Sequence, residues 1–362
     1  MNIYKYNFII LIIVHLAFVS CGNKKKEHLT DYFPQSSEKL RHEAFHFSNS
    51  EKVLNPVEMM ICDSLLIVRN LHSPSFFSVI NINQKKLIKH FGDAGEGPGE
   101  FIINLQIDKM KSLKSINAPD GGLIRMYQYS IDSILFSKSP LPVDLFSGSS
   151  NKLAKYRYNR ILQINDSIFV GMGGLYGGRF TIFNRYNKDF YSFGKYPDEV
   201  SLSNGLKSEA YQGNLIYNEY NQNIVFAESS SELLEFYHFE KNKMQLQKGY
   251  YTSIPNYSLV NKGGENHIIS SLHGRNIKEL TYTKNYVYVL YVQKEDDASL
   301  LEKSKGDCIL VFDWKGKPIK RYQLDCEVKT ITINEDGSRI YALWDNPDPE
   351  IIYFDIDSKN QN

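Results

Sequence analysis

The chain has little of what most catalytic and redox sites are built from. It holds only 4 cysteines in 362 residues and no Cys-x-x-Cys pair, which argues against redox chemistry and a zinc knuckle. Gly-x-Ser-x-Gly and Gly-Lys-Ser/Thr are both missing, and with them the hydrolase nucleophile elbow and the phosphate-cradling loop. Charge of one sign is lacking too: the formal net charge is +1, so no chain-wide basic field exists for nucleic acid. Tryptophan is scarce, at 2 residues, whereas 25 tyrosines and 21 phenylalanines supply the rings that suit pleated, half-buried surfaces. No long amphipathic helical pattern is present.

The one sustained apolar run is N-terminal. Lys5 precedes Phe8–Val19, about a dozen residues long and too short for an ordinary membrane span. It ends at Val19-Ser20-Cys21-Gly22. Small residues before a cysteine at the end of such a run resemble the lipobox of bacterial lipoproteins, which implies cleavage before Cys21 and acylation of that residue. Phe18 departs from the aliphatic residue usual there. The expectation is a signal peptide over residues 1–20, a flexible tether over 21–37 and a single folded body over 38–362. The alternative is a plain secretory signal with an incidental cysteine. Lys24-Lys25-Lys26 is followed by one acid, Glu27, not by the acidic cluster of some surface-directed lipoproteins. The expected location is therefore the cell envelope, lipid-anchored to a membrane and facing the periplasm. Of the remaining cysteines, Cys62, Cys308 and Cys326, an odd number cannot pair completely. A bridge between Cys308 and Cys326, which flank a predicted hairpin, stays open beside the reading of three buried thiols.

What the sequence does contain is repetition. A short β run, a polar or glycine-rich loop and a second β run recur, as in Ser64–Val68 then Phe77–Asn81, Ser167–Gly171 then Phe180–Asn184, and Asn223–Ala227 then Leu233–Phe239. Tyr286–Val292 then Cys308–Asp313, and Arg339–Trp344 then Ile351–Asp355, continue the series, with a degenerate copy at Leu113–Asn117 then Leu123–Tyr129. A period of roughly 40–50 residues marks a radial array, because one four-stranded unit cannot bury its own faces. The expected fold is all-β: a six-bladed propeller of four-stranded antiparallel blades. The last unit lacks an outer strand, and Leu40–Phe47 is an orphan β run at the other end of the chain. Pairing the two closes the ring and removes exposed sheet edges. The degenerate second unit is expected to end in an outer strand at Ser133–Ser137, and 195–213 and 251–275 read as long irregular connections.

The sharpest local motif is Gly92-Asp93-Ala94-Gly95-Glu96-Gly97-Pro98-Gly99-Glu100-Phe101. Its glycines and proline end the preceding strand and forbid a helix. Glu96 and Glu100 could hold a cation, or Glu100 could satisfy backbone amides inside a rigid connector. Gly95–Phe101, the lipobox-like Cys21, Ala210-Tyr211-Gln212-Gly213 and Arg339-Ile340-Tyr341-Ala342 together resemble a large set of bacterial lipoproteins known as TolB-like six-bladed propellers. The resemblance implies the fold and an exported, lipid-anchored protein, and it supplies no reaction.

Propeller topology would gather the Gly92–Phe101 loop and Gly173–Arg179 on one loop-rich face, with Tyr176 and Arg179 suited to carboxylate or sugar contacts. Some six-bladed propellers are lactonases with a divalent cation on the axis. Glu58, Asn104 and Asn214 near the starts of inner strands could imitate that cation site. The favoured reading is a non-enzymatic binding scaffold for an envelope protein, peptide or glycan, with no cofactor. The alternative is a divalent-metal-dependent hydrolase or lyase of that propeller type.

Overall fold

Each repeat becomes one antiparallel sheet whose strands, A to D, step outward from a central axis. Blade 1 is Pro56–Cys62, Leu65–Asn70, Ser75–Asn81 and Lys86–Asp93. Blade 2 is Asp108–Met110, Ser115–Asp120, Arg125–Ser130 and Val143–Ser147. Blade 3 is Arg160–Gln163, Ile168–Met172, Phe180–Asn184 and Phe190–Phe193. Blade 4 is Gly213–Asn218, Asn223–Glu228, Leu233–Glu240 and Lys243–Tyr251. Blade 5 is Ile277–Tyr282, Tyr286–Tyr291, Gly306–Asp313 and Pro318–Val328. Thr330–Ile333, Arg339–Asp345 and Pro349–Asp355 supply three strands of blade 6. This computed structural model describes residues 28–356 apart from 49–52, 111, 122–124, 148–157, 159, 173–177, 188, 198–201, 271–275, 295–298, 300 and 301.

The ring closes through the chain's own N-terminal segment. His42–Ala44 pairs antiparallel with Pro349–Asp355, His42 opposite Phe354, and becomes the fourth strand of blade 6. Just before it, Glu38–Leu40 adds a fifth, parallel strand to the rim of blade 5. One short segment thereby covers the outer edges of two neighbouring blades, the edges most open to unwanted pairing.

Apolar faces meet between blades, and each of six hydrophobic clusters among the described residues draws on two neighbours. Phe77, Phe101 and Tyr129 pack between blades 1 and 2, Phe180, Phe226 and Tyr237 between 3 and 4, and Phe236, Tyr250 and Phe312 between 4 and 5. Many of these rings meet edge to face, the arrangement aromatic quadrupoles favour, as in Phe180–Phe226 with centroids 5.4 Å apart.

Three local expectations are corrected. Ser133–Ser137 is not a strand: Ile131–Phe136 is a short helix, and the outer strand of blade 2 is Val143–Ser147. The Ser130 hydroxyl accepts the Ser133 N–H at 3.0 Å, which caps the helix, and Ile131 and Ile134 turn inward. The two long connections carry order as well, a helix at Asn204–Ala210 and a hairpin of Tyr257–Lys262 with Glu265–Ser270. Finally, the stretch expected as a tether is docked from His28 onward, while residues 1–27, with Cys21, lie outside those described. Leu29 and Phe33 are buried between blades 4 and 5, and Glu232 accepts from the Leu29 N–H at 2.6 Å and contacts His28 Nδ1 at 2.8 Å. Burial of these two apolar side chains and the hydrogen bonds to Glu232 both work against the entropy of pinning the segment. Cys308 and Cys326 are not bridged.

Candidate functional site

The glycine-rich loop is a bracket between blades 1 and 2. It leaves strand Lys86–Asp93 and drives Phe101, fully buried, against Phe76, Phe77 and Tyr127. The Glu100 carboxylate turns back into the loop and accepts the Gly97 N–H at 2.8 Å. That carboxylate lies 2.0 Å from where a Cβ on residue 95 would stand, so a side chain at Gly95 would displace it from the Gly97 N–H. Gly99 has φ +80°, and its carbonyl accepts from the Tyr129 hydroxyl at 3.1 Å. Glu96 is exposed at the tip. The loop thus uses Glu100 internally and leaves Glu96 to solvent.

The axis is lined by the A strands. Glu58 accepts from Arg69 Nε at 2.6 Å on one carboxylate oxygen and from Arg160 Nη1 at 3.5 Å on the other. Arg160 Nη2 donates to Asn214 Oδ1 at 2.8 Å, and the Asn214 amide in turn donates to the Lys278 carbonyl at 3.2 Å. Glu58 and Asn214 are therefore brought together, but by an arginine. Asn104 is elsewhere: its amide nitrogen donates to the Pro119 carbonyl at 3.1 Å, and only its backbone carbonyl meets Arg69, at 3.2 Å. Two further carboxylates that the sequence reading missed, Asp108 and Glu279, also face the axis. Burial pushes each up to about 7, and the neighbouring Glu58 charge adds to the rise. Lys109 Nζ donates to the Ile61 carbonyl at 2.9 Å and lies 5.2 Å from the centre of the Tyr282 ring. The space left is a cavity of about 60 Å³. A water needs ~10–15 Å³ by this measure, so the axis admits a few waters and no organic substrate.

The large opening is on the flank. A groove of about 850 Å³ runs between the outer parts of blades 3 and 4, lined by Phe193, Tyr196, Tyr237, Leu246, Tyr251 and Ile254 among others. Phe193 and Leu246 are shared with a second hollow of about 510 Å³, which continues it toward the hairpin at Glu240–Lys243. At its floor is a buried charge network. Arg179 is ion-paired with Glu235 and donates to the Tyr237 hydroxyl at 2.8 Å, its guanidinium stacked near Phe180 and Phe226. The hydroxyls of Tyr237 and Tyr251 donate to Glu235 at 2.8 and 2.7 Å. Burial, together with the Glu235 carboxylate, raises the Tyr251 hydroxyl above its ordinary value and keeps it a donor.

Arg179, expected on the exposed loop face, is instead 1% exposed and serves the floor from behind. A guanidinium this close to the ring packing of blades 3 and 4 is stable only when paired and desolvated with its partner. Tyr176 lies outside the described residues. Glu235, Tyr237 and Tyr251 were not foreseen as site residues. A signal was present: one acid inside the apolar strand Leu233–Glu240, with Tyr237 on the same face by the two-residue period.

The model of the TolB-like 6-blade propeller-like family matches residues 33–336. The chain belongs to that family. Among solved structures, a Bacteroides fragilis protein assigned as exported superposes with a TM-score of 0.52 at 14% identity, covering 90% of this chain and 97% of that one. The β-propeller domain of Cps50 (Swd1) from Myceliophteria thermophila gives a TM-score of 0.51 at 7% identity, covering 85% and 99%. At such identities the likeness is one of fold. No curated protein matches the sequence. This family member keeps the six-bladed ring while its axis is closed by paired charges and its flank is open.

Proposed function

We propose that the protein is an exported, lipid-anchored propeller that holds an extended peptide segment of an envelope partner in the groove between blades 3 and 4. The observation that carries this reading is the contrast in volume: about 850 Å³ of open, ring-lined groove against about 60 Å³ on the axis. Ligand sites are concave and largely apolar with a few fixed polar groups, and here Tyr251 and Tyr237, held on Glu235, are those groups. Leu246, Ile254 and Pro197 among the rings suit peptide side chains better than sugar hydroxyls. Export and anchoring rest on the apolar run ending at Cys21, and the exported assignment of the Bacteroides fragilis protein agrees with export alone. The hydrolase reading finds three carboxylates near the axis, but both oxygens of Glu58 already face guanidinium donors, which a divalent cation would have to displace.

The test is selection from a displayed peptide library and, in parallel, a glycan array, each read with the parent protein, Tyr251→Ala and Leu246→Asp. Peptides should be captured by the parent and lost by both variants while both remain folded, as checked by their melting transitions. Glycan-only capture would replace the ligand class, and capture indifferent to both substitutions would remove the groove from consideration. Cation-dependent lactone hydrolysis abolished by Glu58→Gln would restore the enzymatic alternative. For the anchor, Cys21→Ala should move the protein out of the membrane fraction.

A further inference from the structure

The closing segment crosses from the rim of blade 5 to the rim of blade 6 at Arg41, between its two short strands. At that crossing three side chains of metal-ligating type meet: His42 from the closing strand, and Asp325 and Cys326 from the outer strand of blade 5. One ligand atom from each lies within 4.8 Å of the others, and His42 Nδ1 is 3.0 Å from Asp325 Oδ1. The imidazole is not free to swing. Its ring sits 4.9 Å from that of Trp344 and 6.4 Å from that of Phe354, and the His42 N–H is anchored on the Asp325 carboxylate at 3.2 Å. All three residues keep some exposure, whereas Cys62 and Cys308 are buried.

We propose that His42, Asp325 and Cys326 form a site for a borderline-soft divalent metal, zinc by its ligand preferences, that staples the closing strand to blade 5. The nitrogen, oxygen and sulfur donor set is one that zinc accepts, whereas calcium and magnesium take oxygen shells. Bonds of ~2.0–2.3 Å at tetrahedral angles place ligand atoms roughly 3.3–3.7 Å apart. The His42–Asp325 separation of 3.0 Å is shorter than that range and the other separations are within 4.8 Å, so side-chain adjustments without movement of the backbone would complete the set. Packing of His42 on Trp344 supplies the orientation that metal-bound histidines need from their surroundings. The fourth position faces solvent. On binding, metal–sulfur, metal–nitrogen and metal–oxygen bonds form, the Cys326 thiol proton leaves to water, and the His42–Asp325 side-chain hydrogen bond is replaced; no electron is transferred. Because His42 lies 283 residues before Asp325 in sequence, a metal here ties the N-terminal closing strand to blade 5 and stabilises the closed ring by linkage.

The test uses Co(II) and Zn(II) alone as probes, on purified protein carrying Cys21→Ser under reducing conditions. Co(II) should bind at one equivalent with the intense visible bands of a four-coordinate site and a thiolate-to-cobalt charge-transfer band. It should also quench Trp344 fluorescence, which Trp344→Phe removes, the only other tryptophan being the buried Trp314. Zn(II) should displace the cobalt and raise the melting temperature. Cys326→Ser should lose the charge-transfer band, and His42→Ala should lose the zinc-dependent rise in melting temperature. A water-like six-coordinate cobalt spectrum in the parent protein would overturn the proposal without recourse to any variant. So would a charge-transfer band that survives Cys326→Ser.

Discussion

Buried charge is handled in opposite ways on the ring axis and on its flank. On the axis Glu58 lies between two guanidinium groups that project into the channel, and Asp108, Glu279 and Lys109 fill much of what remains. On the flank a single ion pair, Arg179 with Glu235, is packed among rings: Arg179 stays behind the groove wall, while the almost wholly buried Glu235 reaches it and holds Tyr251 there. The same kind of pair either closes a site or furnishes its floor, depending on whether it points into the space or is roofed by aromatic side chains.

The sharpest way to break that comparison is to strand one partner of the flank pair. Arg179→Met leaves Glu235 buried without its cation and should destabilise the fold by about 3–5 kcal/mol in denaturant titration. Adding Glu235→Leu should recover most of that loss, and failure to recover would mean that the pair is not the floor's support.

On the axis the expected effect is smaller and pH-dependent. Asp108 and Glu279 have folded-state values raised to about 7, so the folded protein binds more protons than the unfolded chain between about pH 4 and 7. Stability from these two groups is therefore greatest at acid pH and falls as pH rises through about 7. Both side chains keep some exposure, which holds the expected difference between pH 5 and 8 to roughly 1–2 kcal/mol. Melting temperatures across that range should slope downward with pH, and Asp108→Asn with Glu279→Gln should flatten the slope; an unchanged slope counts against buried carboxylates on the axis.

The smallest effect belongs to the glycine loop, which contrasts with both. Glu100→Gln weakens a charge-assisted bond to the Gly97 N–H and should cost about 1 kcal/mol. Glu96→Gln, at the exposed tip, should not move the melting temperature measurably. If Glu96 proved the more costly of the two, the loop would be holding a ligand and not itself.

Most of the ring was legible because its cues are local. Strand period and turn residues recur in each repeat, and the outer hairpins fall where asparagine, lysine and glycine permit left-handed turns, as at Lys85, Lys241 and Asn242. Even the long-range closure could be inferred, since Leu40–Phe47 had no partner at its own end of the chain and blade 6 lacked one. The second blade resisted for a physical reason: a serine cap and two isoleucines of helical spacing make Ile131–Phe136 a helix in a stretch whose composition also permits a strand. The docking of Leu29 and Phe33 was hidden because an isolated pair of apolar residues in a polar stretch has no period to detect.

By itself, then, the sequence determined the number of blades, the strand that closes them and the family to which they belong, because pleat alternation, turn chemistry and repeat length act over a few residues. Tertiary structure alone decided which charges would neutralise one another and where volume would be left. Arg160 meets Glu58 across 102 residues and Arg179 meets Glu235 across 56, and no local pattern encodes such distances. Whether an arginine faces solvent, fills a channel or supports a tyrosine depends on the rings that neighbouring blades place around it, and only the closed ring brings those neighbours together.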